Sequence, residues 1–143
     1  MMTAKEYLQQ IYHLDRRIKR LQSRREEIRA DLYSVKSTTD YNADRVQTSV
    51  AGDSMLRLIA KVDSIERDIV KELDQLISMK TRISKEIEQV QDATAKDILY
   101  QRYVSCLSFE QIAVNLGYSR RHIDRLHGRA LYLFKKDVLE CPK

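Results

Sequence analysis

Chain breakers are in short supply: 143 residues hold only three glycines and one proline, and tryptophan is absent. A sheet-rich fold needs frequent turns, which glycine and proline largely supply. The shortage therefore argues for a mainly α-helical chain. Cysteine is scarce as well, and Cys106 and Cys141 form no CxxC pair. Neither a disulfide framework nor a zinc site is suggested, and a reducing cytosol is the expected setting. No stretch approaches 18 consecutive apolar residues, and the opening MMTAKEYLQQIYHLDRR lacks a continuous apolar core. Neither a membrane span nor a signal peptide is expected, and the chain reads as soluble and cytoplasmic. Phosphate-cradling glycine loops and nucleophile elbows are missing, and His13, His122 and His127 are not spaced as a metal set. The sequence thus implies no cofactor, no metal and no enzymatic activity.

What the chain does have is charge and period. Twenty-six Lys and Arg against 21 Asp and Glu give a net charge of +5. That favours polyanionic partners without deciding among them. The distribution says more: Arg120, Arg121, Arg125, Arg129, Lys135 and Lys136 fall within one short segment that holds a single acid, Asp124.

Ala4, Tyr7, Ile11, Leu14, Ile18, Leu21, Ile28, Leu32 and Val35 recur at steps of three and four, with Arg25 as the polar exception. This is a coiled-coil stripe. A helix from Thr3 to Val35 would run roughly 50 Å and needs a partner. Residues 36–53 are rich in Ser, Thr, Asp and Asn and read as a long polar loop. A second stripe follows through Met55, Leu58/Ile59, Val62, Ile65, Ile69, Leu73, Leu76, Ile83, Ile87 and Val90, predicting a helix over 54–91. The two helices are expected to form an antiparallel hairpin over residues 1–91. Two helices alone make a thin core, so the hairpin is expected to form a homodimer. The basic run Arg16 to Arg29 has acidic partners on offer along the second helix, Glu66 and Glu72 among them, and reads as a solvated, paired face.

At Asp92, a plausible N-cap, the character changes, and 92–143 reads as a second domain opening with a short helix over 93–105. The segment Phe109 to Gly128 fits a helix-turn-helix template. Ala113 is small where two helices would cross, and Gly117 sits where the turn needs a positive φ. Ser108 and Ser119 stand at N-cap positions. Ile112, Leu116, Tyr118, Ile123 and Leu126 are spaced to point inward. The candidate DNA-binding residues left outward on the helix 119–131 and just beyond are Ser119, Arg120, Arg121, His122, Asp124, Arg125, Arg129 and Lys135. In this motif the N-terminal half of the second helix enters the major groove, so Arg120, Arg121, Asp124 and Arg125 are expected to reach base edges, and Arg129 and Lys135 phosphates. Gly128 interrupts that helix, and close packing against the third helix is the favoured reason, with a kink or a helix end as the alternative.

Asp97-Ile98-Leu99 through Tyr103, Leu107 to Ala113, Leu116-Gly117-Tyr118-Ser119 and Arg129-Ala130-Leu131 resemble region 4 of sigma-70-type transcription initiation factors, which reads the promoter −35 element. The likeness covers about the last third of the chain. With two long helices ahead of it, the whole chain is similar to small phage- and prophage-encoded transcriptional regulators of Gram-positive bacteria. This implies a sequence-specific double-stranded DNA-binding regulator, with RNA polymerase as a further partner. The chain departs from a full sigma factor in having no aromatic-rich domain to open the −10 element. A protein-binding adaptor acting on RNA polymerase or a sigma factor through the same fold is the alternative.

Overall fold

The computed structural model describes residues 2–41 and 48–141, and among them every regular element is helical. Six α-helices follow one another: α1 Ala4–Leu8, α2 Gln10–Tyr41, α3 Thr48–Ile87, α4 Ala93–Leu99, α5 Phe109–Leu116 and α6 Arg120–Phe134. Single π-helical turns, Tyr100–Val104 and Lys135–Leu139, extend α4 and α6. None of these helices is long and apolar enough to cross a membrane.

Local chemistry accounts for the helix starts. Thr3 and Glu6 form a capping box: the Thr3 hydroxyl accepts from the Glu6 N–H at 3.2 Å, and the Glu6 carboxylate accepts from the Thr3 N–H at 2.7 Å. The bond from the Thr3 N–H, then a hydrogen bond from the Thr3 side chain, favour the charged carboxylate and hold the Glu6 pKa below its usual value. Gln9 alone separates α1 from α2. Its N–H still donates to the Lys5 carbonyl at 2.9 Å, so the chain direction is kept. The loop expected over 36–53 is corrected at both ends: helix persists to Tyr41 and resumes at Thr48. The polar composition there weakens propensity without breaking it, because no proline or mid-segment glycine intervenes before Gly52. The remainder of that expected loop, 42–47, lies outside the described residues. The second long helix also ends at Ile87, earlier than expected.

The described chain divides into two compact units, Met1–Asp15 with Leu76–Lys143, and Arg16–Gln75. The boundary expected at 91/92 therefore falls inside the larger unit. There α1, the start of α2 and the end of α3 join α4 to α6. Leu8, Ile11, Ile83, Ile87, Ile98, Leu99, Ile112, Ile123 and Phe134 are fully buried, each such side chain contributing about 1.5–3 kcal/mol. Tyr7 of α1 lies against Phe134 of α6, ring centroids 6.1 Å apart. Its hydroxyl donates to the Glu86 carboxylate at 2.7 Å, and burial, then that bond, raise its pKa.

The smaller unit is thinner. Ile18, Ile28 and Ile69 are buried, and Leu21, Leu32, Leu58, Val62 and Ile65 are half-buried. Arg17 pairs with Glu72 at 3.2 Å and Arg29 with Glu66 at 2.6 Å. As the α2 partner advances from 17 to 29, the α3 partner retreats from 72 to 66, so these stretches run antiparallel. Ile59 and Leu73, expected in the apolar seam, are exposed at its edge together with Leu56 and Val70. A helix touching one neighbour covers only one stripe, and α3 carries apolar residues over a wider arc than α2 can cover.

Candidate nucleic-acid interface

Three caps and one glycine shape the C-terminal helices. The Asp92 carboxylate accepts from the Ala95 N–H at 3.0 Å. Ser108 and Gln111 form a second capping box, with the Ser108 hydroxyl accepting from the Gln111 N–H and the Gln111 side-chain oxygen accepting from the Ser108 N–H. The Ser119 hydroxyl accepts from the His122 N–H at 3.2 Å. Each cap is worth about 1 kcal/mol. Between α5 and α6, Gly117 adopts φ 72° and ψ 30°, left-handed values that cost glycine nothing in Cβ clash. In that conformation the Gly117 and Tyr118 N–H groups donate back to the carbonyls of Val114 and Ala113, closing the end of α5. At the other end of α5, Cys106 is the one described non-glycine residue with a positive φ, 56°. It turns the chain out of the π-helical turn.

These starts and stops aim α5 and α6 at a common core. Ile98, Ile112, Ala113 and Ile123 are buried together, with Leu107, Phe109, Leu116 and Leu126 packed against them. Ala130 and Phe134 continue the buried side of α6. Tyr118 is a correction: expected inward, it is 42% exposed. It follows the left-handed residue, where the chain has already turned out of the core, and its ring meets the edge of His122 at 4.9 Å.

The structure sorts the eight candidate DNA-binding residues into two groups. Arg121, Arg125 and Arg129 are exposed, and no acidic group pairs with any of them among the described residues. Arg125 makes one long contact, 3.5 Å, to His122 Nδ1. The others are engaged within the protein. Arg120 donates to both oxygens of Asp124 at 2.8 Å, pairs with Glu110 at 3.3 Å and lies 4.8 Å over the Phe109 ring. Both Arg120 and Asp124, expected to read bases, are thereby turned toward each other. Ser119 is committed to its cap, His122 is half-buried, and Lys135 pairs with Glu140 at 3.5 Å. His122 and Arg129 line a shallow groove with Asp92, Thr94, Tyr118 and Leu126.

Sequence reasoning passed over a joint beneath this face. His127 stacks on Tyr103 at 5.7 Å and meets Phe109 edge-on at 4.8 Å. Its Nε2 lies 2.7 Å from the Tyr103 hydroxyl. On the far side of Phe109, the Arg102 guanidinium sits 4.3 Å over the ring and donates to the Leu107 carbonyl at 3.0 Å. Burial, reinforced by the positive charges of Arg102 and Lys5, lowers the His127 pKa to about 4, while burial pushes Tyr103 up to about 12. At neutral pH the imidazole is uncharged and the phenol keeps its proton. The available signal was spacing: His127 follows the buried Ile123 by four residues and so lies on the inward side of α6.

At Gly128 the packing reading is corrected. The helix does not end there, since α6 runs on to Phe134, and packing does not reward the missing side chain, because a Cβ at Gly128 would meet nothing within 4 Å. Glycine at an exposed mid-helix position costs about 1 kcal/mol relative to alanine.

Comparison of the chain with protein-family models, curated proteins and solved structures returns no match.

Proposed function

We propose that this chain is a sequence-specific double-stranded DNA-binding transcriptional regulator of phage type. In this reading α5, the Gly117 bend and α6 act as a helix-turn-helix, and α6 enters the major groove. One arrangement supports it above all: Ile123, Ala130 and Phe134 anchor one side of α6 in the core, while Arg121, Arg125 and Arg129 stand exposed on the same helix without an acidic partner among the described residues. A buried arginine or one neutralised by a carboxylate could not offer its guanidinium fork to guanine O6 and N7, as these can.

Arg121 and Arg125 are then the base readers, Arg129 grips phosphate, and Lys135 does so by giving up its exposed pair with Glu140. Arg120 acts as a brace: its contacts to Glu110, Asp124 and Phe109 tie the start of α6 to α5. The antiparallel stretches of α2 and α3 are proposed to extend into a long hairpin that pairs with a second copy, because Leu56, Ile59, Val70 and Leu73 remain exposed. The resemblance of residues 97–131 to sigma region 4 makes RNA polymerase the proposed protein partner, and the bacterial cytoplasm the proposed site of action.

Selection of bound duplexes from a random pool tests the reading. Affinity is expected to fall with salt, each phosphate neutralised adding about −0.9 to the log–log slope. Changing Arg121 and Arg125 together to alanine is expected to weaken binding to the selected duplex on the order of a hundredfold or more, with thermal stability unchanged. Failure of the wild-type chain to bind any duplex at roughly 50 mM salt defeats the proposal.

A further inference from the structure

We infer that a sugar–phosphate strand of the bound duplex crosses α6 at Gly128, in direct contact with its backbone; this rests on the DNA-binding reading above. The starting point is a glycine whose missing side chain no contact within the described protein explains. Its φ is not positive, since Gly117 is the one described glycine in that region. It lies mid-helix and exposed, and its missing Cβ would touch nothing. Alanine would fit the free protein and strengthen the helix. A bare backbone gains something at such a position only when another molecule approaches closer than a methyl group allows.

The surrounding face identifies the chemistry of that molecule. At about 100° per residue, Arg121, Arg125, Tyr132 and Lys135 all fall within roughly 60° of Gly128, and all four are exposed. Asp124 shares the arc, but Arg120 holds its carboxylate at 2.8 Å. Gly128 is therefore a bare patch with unpaired cations one and two turns before it and, two turns after it, Lys135, which pairs with the exposed Glu140 at 3.5 Å. Tyr132, 64% exposed, adds a hydroxyl that can donate to a phosphate oxygen and a ring that can lie against a sugar. A docking protein helix would call for apolar neighbours, and this arc offers only Tyr132 and the half-buried Leu131. A polyanionic strand fits the charge and the closeness together.

The inference predicts opposite signs for stability and affinity. Gly128→Ala is expected to raise the melting temperature by roughly 3 °C and to lower affinity for the selected duplex by about tenfold. Gly128→Leu is expected to weaken binding further while circular dichroism keeps its helical signal. A Gly128→Ala chain that is stabilised and binds as well as the wild type overturns the inference and leaves the proposed function standing. A wild-type chain that binds no duplex overturns both. Should Gly128→Leu fold poorly, Gly128→Ala decides the question alone.

Discussion

The larger and smaller units are built from the same kinds of residue yet hold together differently. In residues 1–15 and 76–143, helices meet from several directions, and aliphatic and aromatic side chains are buried outright. In residues 16–75, α2 and α3 meet along one stripe, with Ile18, Ile28 and Ile69 buried and Tyr33 and four large aliphatic side chains left exposed. The difference teaches what a helix needs in order to present a surface accurately. The base reading proposed for Arg121 and Arg125 would demand side chains fixed within a fraction of an ångström, and the many-sided core around Ile123 and Phe134 suits that demand. A single seam is suited to pairing with another helix.

The sharpest way to break the comparison is to empty each core in turn. Phe134→Ala is expected to cost roughly 3–5 kcal/mol and Ile28→Ala about 2, because the thinner seam can relax around the loss. Urea unfolding followed by circular dichroism would measure both; equal losses would mean the two units are packed alike.

A second test sharpens the larger unit alone. The pKa of His127 is lowered from 6.5 to about 4 in the folded state, chiefly by burial. Between those values the unfolded chain takes up a proton that the folded chain resists, so stability is complete above pH 6.5 and falls as pH drops toward 4. His127→Gln is expected to flatten thermal stability across that window while leaving the smaller unit's ion pairs untouched. An unchanged pH profile would show that the joint of His127, Tyr103 and Phe109 does not carry the effect.

The smallest expected effect belongs to the smaller unit. Removing the exposed Arg29–Glu66 pair by Glu66→Gln should cost about 0.5 kcal/mol or less and vanish in high salt. A larger, salt-insensitive loss in the same unfolding assay would mean that this seam depends on charge more than on its buried isoleucines.

Much of this molecule is legible in its sequence. The all-helical class followed from the shortage of breakers, and the caps at Asp92, Ser108 and Ser119 and the left-handed Gly117 were readable because each depends on groups within a few residues. The errors have a common physical origin. Polarity predicts a loop over 36–41 and 48–53, yet a helix already nucleated extends through polar residues at little cost per residue. Apolar spacing predicts Tyr118 inward, although the spacing no longer applies once a left-handed residue has turned the chain.

The residues by themselves determined where helices start, where α5 must stop and which segment concentrates positive charge, since capping, backbone strain and composition are properties of short stretches. Only the tertiary structure decided that the first fifteen residues pack with the C-terminal helices and that His127 is a buried neutral joint. It also decided that Arg120 braces while Arg121, Arg125 and Arg129 remain exposed, and that Gly128 serves no internal contact. Those outcomes depend on which side chains distant in sequence come within a few ångströms of one another, and burial and ion pairing act only over that range.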